Sequence, residues 1–334
     1  MTQPLTSKHR FILTAYGMPH RMGYLATQDG KHHPAPLNNL QLMDAAVELG
    51  LNGVEFPLRQ ASPDALSAWA DGLKSRNLSI VTDYMIIVDG ELEDFRQFLR
   101  DSAKLGAKVA RAIMSNILCG DRRKLAGGWD ERLKAVASRL RELLPFAQDL
   151  GLSIALENHQ DATTADFLYL YELTGQHCAF GVTLDTGNPL SVGEEPVEAA
   201  RALAPLVRHV HLKDYTIHFA PEGYRLVRCA AGDGVIDFRS ILDIVWKNGR
   251  DITPGVEIAA QPTRTIPILD PGWWACHKPR DARDLLGALK ILWAKGRPMN
   301  EPYSSAWERG CDSEAVAKEE WELVRKSAAY FKTI

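Results

Sequence analysis

A closed (β/α)8 barrel is the fold class that the sequence predicts, and three observations predict it. Strand-like and helix-like segments alternate from near the start of the chain to about residue 258. Four successive apolar strands, at 152–157, 180–185, 207–211 and 255–257, end in Glu157, Asp185, His211 and Glu257. The turn after the first strand, Gly17-Met18-Pro19-His20, is not the glycine-rich phosphate turn of an open doubly wound sheet. In barrels, functional side chains come from the carboxyl ends of several strands, so consecutive strand ends can converge on one point.

The elements follow in order. Residues 11–16 read as strand one, followed by a polar loop holding His20, Arg21, His32 and His33. A helix over 40–49 puts Leu42, Ala45, Ala46 and Leu49 on one face. Strand two is 53–56 and its helix 65–73. Strand three is 78–85, and its helix, 91–105, carries Leu92, Phe95, Leu99 and Ala103 at helical spacing. Strand four is 108–113. The helix over 130–150 has the clearest stripe, Leu133, Val136, Leu140, Leu143 and Ala147, and Gly151 terminates it. After strand five, Thr163 can cap a helix through Leu173 that ends before Gly175. Strand six precedes a helix over 196–203. After strand seven, Asp237 can cap the helix 238–246. Strand eight is 252–258. Beyond Gln261 the composition shifts: Trp273 and Trp274 sit in a long loop, the helix at 282–293 reads as the eighth barrel helix, and 312–331 reads as a last helix. Residues 1–334 are thus expected to form one barrel domain, with 261–334 supplying its last helix and an extension rather than a separate domain.

Composition excludes several classes. Hydrophobic residues are 46% and charged residues 24%, ordinary values for a globular chain. The formal net charge is -3, without a basic block, so no nucleic-acid surface is indicated. No apolar run approaches the ~18 residues of a membrane span, and the N-terminal residues lack the apolar stretch of a signal peptide. Five widely spaced cysteines, with no Cys-x-x-Cys, indicate neither a disulfide framework nor a thiolate zinc cage. A cytoplasmic setting is expected.

Three carboxylates and one imidazole, Glu157, Asp185, His211 and Glu257, suit one hard or borderline divalent ion. Without a cation these groups repel one another. Mn²⁺ is the first expectation, with Co²⁺, Mg²⁺ or Zn²⁺ as alternatives. Strand alternation places His209, His211 and Lys213 on one face. Lys213 and His159 are candidates for contacting substrate, and His209 is expected to pack more deeply. Glu55 and Arg111 end strands two and four; they could bind substrate hydroxyls or form a buried ion pair with each other. Asn188 and His20 complete the candidate substrate contacts. Trp273 and Trp274 could stack on a substrate ring, pack internally or mediate subunit contact.

Over roughly residues 10–260 the chain resembles the xylose isomerase-like barrel superfamily, in its sugar phosphate isomerase/epimerase branch. The segments that carry the resemblance are Ala155-Leu156-Glu157-Asn158-His159, Leu184-Asp185-Thr186-Gly187-Asn188, His209-Val210-His211-Leu212-Lys213-Asp214, the stretch from Gly232 to Phe238, and Gly255-Val256-Glu257-Ile258. The resemblance implies that Glu157 and Glu257 are both metal ligands and proton-transfer groups, with Asp185 and His211 completing the site. It departs from the ketose epimerase pattern at Asn188, where a histidine is common, and at Lys213-Asp214.

The chemistry has a simple basis. A carbon acid beside a carbonyl needs its developing enediolate stabilised, which a metal holding the carbonyl and a neighbouring hydroxyl provides. Two carboxylates can then remove the proton on one side and return it on the other. The expected activity is isomerisation or epimerisation of a sugar or keto-sugar, non-phosphorylated because no phosphate-binding turn is evident. The alternative expels a leaving group after proton removal, as inosose dehydratases and C-glycoside deglycosidases do. A DNA repair endonuclease would need about three zinc ions and further histidines. A non-catalytic binding barrel is the remaining class. The expected partners are a small carbohydrate and either a second copy or a partner subunit, with neither nucleic acid nor membrane.

Overall fold

Eight parallel strands close into a ring in the computed structural model, which describes residues 10–58, 61–259 and 261–334. The first part of the chain alternates regularly: β1 (Ile12–Thr14), α1 (Asn39–Glu48), β2 (Gly53–Pro57), α2 (Pro63–Arg76), β3 (Ser79–Ile86), α3 (Leu92–Lys104) and β4 (Val109–Ile113). It continues with α4 (Trp129–Asp149), β5 (Ser153–Glu157), α5 (Thr164–Leu173), β6 (Phe180–Asp185), α6 (Pro196–Leu203) and β7 (Val207–Leu212). Then come β8 (Asp214–Ala220), β9 (Gly223–Cys229), α7 (Phe238–Trp246), β10 (Gly255–Val256), β11 (Arg264–Ile266), α8 (Pro271–Trp274), α9 (Leu286–Lys295) and α10 (Ser313–Phe331). Around the barrel the order is β1-β2-β3-β4-β5-β6-β7-β10, and β10 pairs back onto β1.

Local sequence explains the elements. The strands are runs of Val, Ile, Leu and Ala buried on both faces, as expected where helices cover a parallel sheet. Side-chain caps start the helices: Asn38 and Gln41 form a reciprocal capping box on α1, Thr163 and Asp166 form another on α5, and Asp237 accepts from Ser240 N at α7. Gly151 and Gly175 take φ values of 71° and 68° just beyond α4 and α5, a backbone shape that favours glycine. Among the described residues no helix is long and apolar enough to cross a membrane.

The structure differs from expectation in the last third. The eighth barrel strand is only Gly255–Val256, because Pro254 precedes it and the backbone turns at Ala259, with φ of 62°. The helix beside that strand is α10, not the segment at 282–293. Phe331 of α10 stacks on Phe11 and meets Phe238 of α7 edge-on, which fills the gap between the first and last strands. Residues 282–295 instead form a 3-10 turn and α9, which packs on β8. Trp273 and Trp274 lie in α8 rather than a loop, and Trp273 is fully buried, its Nε1 donating to Cys119 O. A second sheet, β8, β9 and β11, all antiparallel, was not foreseen. Its signal was legible: Tyr215, Ile217 and Phe219 alternate with Thr216 and His218 before a Pro221-Glu222-Gly223 turn.

Candidate active site

Glu157 ends β5, Asp185 ends β6, His211 lies on β7 and Glu257 follows β10. The strands are adjacent or separated by one or two neighbours, and their carboxyl ends face one side of the barrel. One ligand atom from each of the four side chains lies within 4.8 Å of every other, and all four residues are buried. Donors around one ion lie up to about 4.4 Å apart at ordinary bond lengths, so small side-chain shifts would let this set share a cation. Two of the atoms have no hydrogen bond of good geometry among the described residues: Asp185 Oδ2 and His211 Nδ1. They nevertheless touch charges. His211 Nδ1 is 2.9 Å from Glu257 Oε2, and Lys213 Nζ lies 2.5 Å from Asp185 Oδ2 and 2.9 Å from Glu257 Oε1. The donor chemistry fits a divalent cation.

Electrostatics sort the carboxylates. Burial opposes ionisation of Glu157, but Arg111 and His211 outweigh it and hold the carboxyl at about 2. Burial likewise opposes ionisation of Glu257, where His211 and Lys213 prevail and the carboxyl falls well below its ordinary value. At Asp185 burial wins over the attraction of Lys213, and the carboxyl rises. Both candidate proton-transfer groups are therefore carboxylates at neutral pH, the form a base requires.

Beneath this set lies a layer of paired charge. Arg111 donates from Nε to Glu55 Oε1 at 2.8 Å and from Nη1 to Glu157 Oε2 at 2.7 Å, and its Nη2 is 3.0 Å from Asp83 Oδ2. Glu55 Oε2 is also 2.8 Å from His211 Nε2 and 2.9 Å from His209 Nε2. Glu55 thus meets Arg111, His209 and His211, and it does not line the cavity. Of the two alternatives for Glu55 and Arg111, the buried ion pair is the arrangement observed. Arg111 still contributes to the cavity wall.

The cavity above the donors has a volume of about 280 Å³ and is walled by Glu157, Glu257, Arg111, Lys213 and His159. Among the described residues His159 Nδ1 makes no hydrogen bond, and burial, with help from Lys213 and Arg111 against the pull of Glu157, lowers the ring pKa to about 4. It is a neutral imidazole facing the cavity. Asn188 sits beside the donors, not in the wall: its Nδ2 donates to Glu157 Oε1 at 3.3 Å and its backbone N–H to Asp185 Oδ1 at 3.0 Å. His20 is buried in the first loop and lies outside the cavity lining, its backbone N–H donating to Glu320 Oε1. The tryptophan pair does not line the cavity either.

Sequence reasoning missed Tyr16, Met85, Asn116, Gln160, Arg228 and Arg264, all in the wall. Met85 and Ala259 hold φ values of 82° and 62°, strained for residues with a Cβ, at an order of 1–3 kcal/mol each. Both line the cavity. No sequence pattern marks such positions, and Arg228 and Arg264 became visible only with the second sheet. Asp214, by contrast, explains part of the motif that sequence reading singled out. Its carboxylate accepts the N–H groups of Tyr215, Gly232, Gly234 and Ile236, so it folds the following loop rather than facing the cavity.

The comparisons with known proteins agree with this architecture. A family model described as "Xylose isomerase-like TIM barrel" matches residues 43–290. The uncharacterized protein YihM of Escherichia coli K12 is 24% identical over 60% of this chain and 60% of its own length. Inosose dehydratase of Clostridium botulinum is 28% identical over 42% of this chain and 51% of its own. The chain thus spans about half to three-fifths of the length of these curated relatives. Among solved structures, L-ribulose 3-epimerase superposes with a TM-score of 0.59 at 15% identity, covering 97% of this chain and 93% of that one. A xylose isomerase-like TIM barrel protein from Mycobacterium smegmatis, in complex with magnesium, superposes at 0.57 with 18% identity, covering 86% and 98%. At these identities the structural likeness concerns the fold.

Proposed function

The chain belongs to the xylose isomerase-like TIM barrel family, and from that premise we propose that it is a divalent-metal-dependent isomerase or epimerase of a sugar or keto-sugar. The observation that carries the reading is the convergence of four buried donors, Glu157, Asp185, His211 and Glu257, within 4.8 Å of one another. Glu157, Asp185, His211 and Glu257 would hold the ion, with Mn²⁺ the first expectation. When bound, the metal supplies a Lewis acid that stabilises negative charge on the oxygens flanking the reacting carbon. The magnesium bound to a fold neighbour is compatible with a site of this kind.

The protein's own groups supply the rest. Glu157 and Glu257 stand on strands separated by two others, so they approach a substrate in the cavity from different directions. One carboxylate takes the proton from the carbon beside the carbonyl, and the other, after taking up a proton from solvent, returns one. Return to the opposite side of the same carbon inverts it, and return to the neighbouring carbon exchanges aldose and ketose. His159, neutral and unpaired at Nδ1, is suited to hydrogen-bond a sugar hydroxyl. Lys213 holds Asp185 and Glu257 in place by its ammonium group.

The test is a panel of ketoses and inososes in D₂O with Mn²⁺-loaded protein, followed by NMR. Isomerisation or epimerisation incorporates deuterium at the reacting carbon and conserves the formula. A second reading, dehydration, is favoured by the inosose dehydratases among the relatives, and it loses water to give a new enone. Absence of Mn²⁺ binding, or absence of both exchange and turnover across the panel, defeats the proposal.

A further inference from the structure

We propose that the substrate carries an anionic group, a carboxylate or a phosphate, and that Arg228 and Arg264 bind it in the part of the cavity built by the second sheet. The inference rests on the reading above and narrows its substrate class. Four cationic side chains line the cavity: Arg111, Lys213, Arg228 and Arg264. Two of them are already neutralised. Arg111 is paired with Glu55, Asp83 and Glu157, and Lys213 with Asp185 and Glu257. Arg228 and Arg264 are not. Among the described residues no carboxylate oxygen lies within ion-pair distance of either one, and each gives a single long bond to the same backbone oxygen, Pro262 O, at 3.4 Å and 3.3 Å.

Both side chains nevertheless sit in the protein. Arg228 is 4% exposed and stacks over the Tyr215 ring. The Nε atoms of both arginines are buried without a hydrogen bond among the described residues. Burial and the neighbouring charge of Arg228 pull Arg264 below its usual pKa, although a guanidinium stays protonated under any ordinary condition. The nearby carboxylate of Glu308 is occupied by the N–H groups of Thr263 and Ser305. Register aims the two arginines together. Arg264 on β11 stands opposite Leu226 on β9, and Arg228 lies two residues beyond Leu226, so both side chains leave the sheet on the same face. Two like charges held side by side with donors unsatisfied are costly, and a planar or tetrahedral oxyanion offsets both costs through forked guanidinium bonds. The carboxylates of the cavity wall, Glu157 and Glu257, are already paired with Arg111, His211 and Lys213.

The experiment is calorimetric titration of the Mn²⁺-loaded protein with D-fructose, D-glucuronate, D-fructose 6-phosphate and inorganic phosphate. At least one charged probe is expected to bind tenfold or more tightly than D-fructose. The double variant Arg228→Gln/Arg264→Gln is expected to lose that advantage at least tenfold while keeping wild-type Mn²⁺ affinity. Should the double variant not fold, Arg264→Gln at its half-buried position makes the same comparison. D-glucuronate against the two phosphates tells a carboxylate from a phosphate. No saturable binding of any charged probe, or a preference that survives in the variant, overturns the proposal. A wild-type protein that fails to bind Mn²⁺ defeats the metal-dependent reading instead, and the same titration without metal still decides the role of the arginines.

Discussion

His211 presents one ring nitrogen to the donor cluster and the other to Glu55, 2.8 Å away. A carboxylate behind a metal-binding imidazole fixes its tautomer and its aim, and losing such a partner typically costs 10–100-fold in metal affinity. Glu55→Gln is expected to weaken Mn²⁺ binding by that factor in calorimetry; unchanged affinity would remove Glu55 from the site. At the proton-transfer groups, Glu157→Gln or Glu257→Gln is expected to lower kcat at least about 100-fold, measured on whichever substrate the panel identifies. Asp161 contributes to the pH dependence of stability. Burial pushes Asp161 up to about 7, against a hydrogen bond from Ser115 Oγ at 2.5 Å, the charge of Arg122 and a backbone N–H. The folded protein therefore keeps a proton there between pH ~4 and ~7 that the unfolded chain has released. Stability from this group is full below pH ~4 and declines as pH rises toward 7, by a total on the order of 4 kcal/mol. Urea midpoints at pH 5 and pH 7.5 should fall less for Asp161→Asn than for wild type, and equal falls would refute the assignment. The convergence of the four candidate donors was legible in sequence because each ends an apolar run. The role of Glu55 was not, since a strand-end glutamate reads alike whether it meets a sugar or an arginine.

At the level of elements, the loop between β9 and α7 is organised by one carboxylate. Four backbone N–H groups converge on Asp214, and Gly234 passes so close that a Cβ there would meet Asp214 Oδ1 at 2.1 Å and Tyr215 O at 2.4 Å. Gly234→Ala is expected to cost about 2 kcal/mol in a denaturant titration by prying the loop from its anchor, within the range for overpacking. A midpoint equal to wild type would mean that the loop yields freely. The regular helices were readable from periodicity and caps, as α6 at Pro196–Leu203 illustrates. The eighth helix was misplaced because the segment at 282–293 and α10 are both apolar enough to cover a strand. Only the aromatic contacts of Phe331 decide between them.

For the molecule as a whole, α10 joins distant parts of the ring. Its Glu320 receives the N–H groups of His20 and Arg21 from the first loop, its Ser327 Oγ receives Ala231 N, and Phe331 seals the seam between the first and last strands. Phe331→Ala is expected to cost roughly 3–5 kcal/mol, read as a lowered denaturant midpoint. A loss below 1 kcal/mol would show that the seam closes without it. The layout also separates two tasks along the chain. The groups suited to moving protons stand at the ends of barrel strands, whereas Arg228 and Arg264 ride on ribbons inserted around β10. On the proposed roles of these groups, a lineage carrying this scaffold would change its diet by rewriting those ribbons while leaving the strand ends untouched, and a protein engineer would exchange them as a cassette.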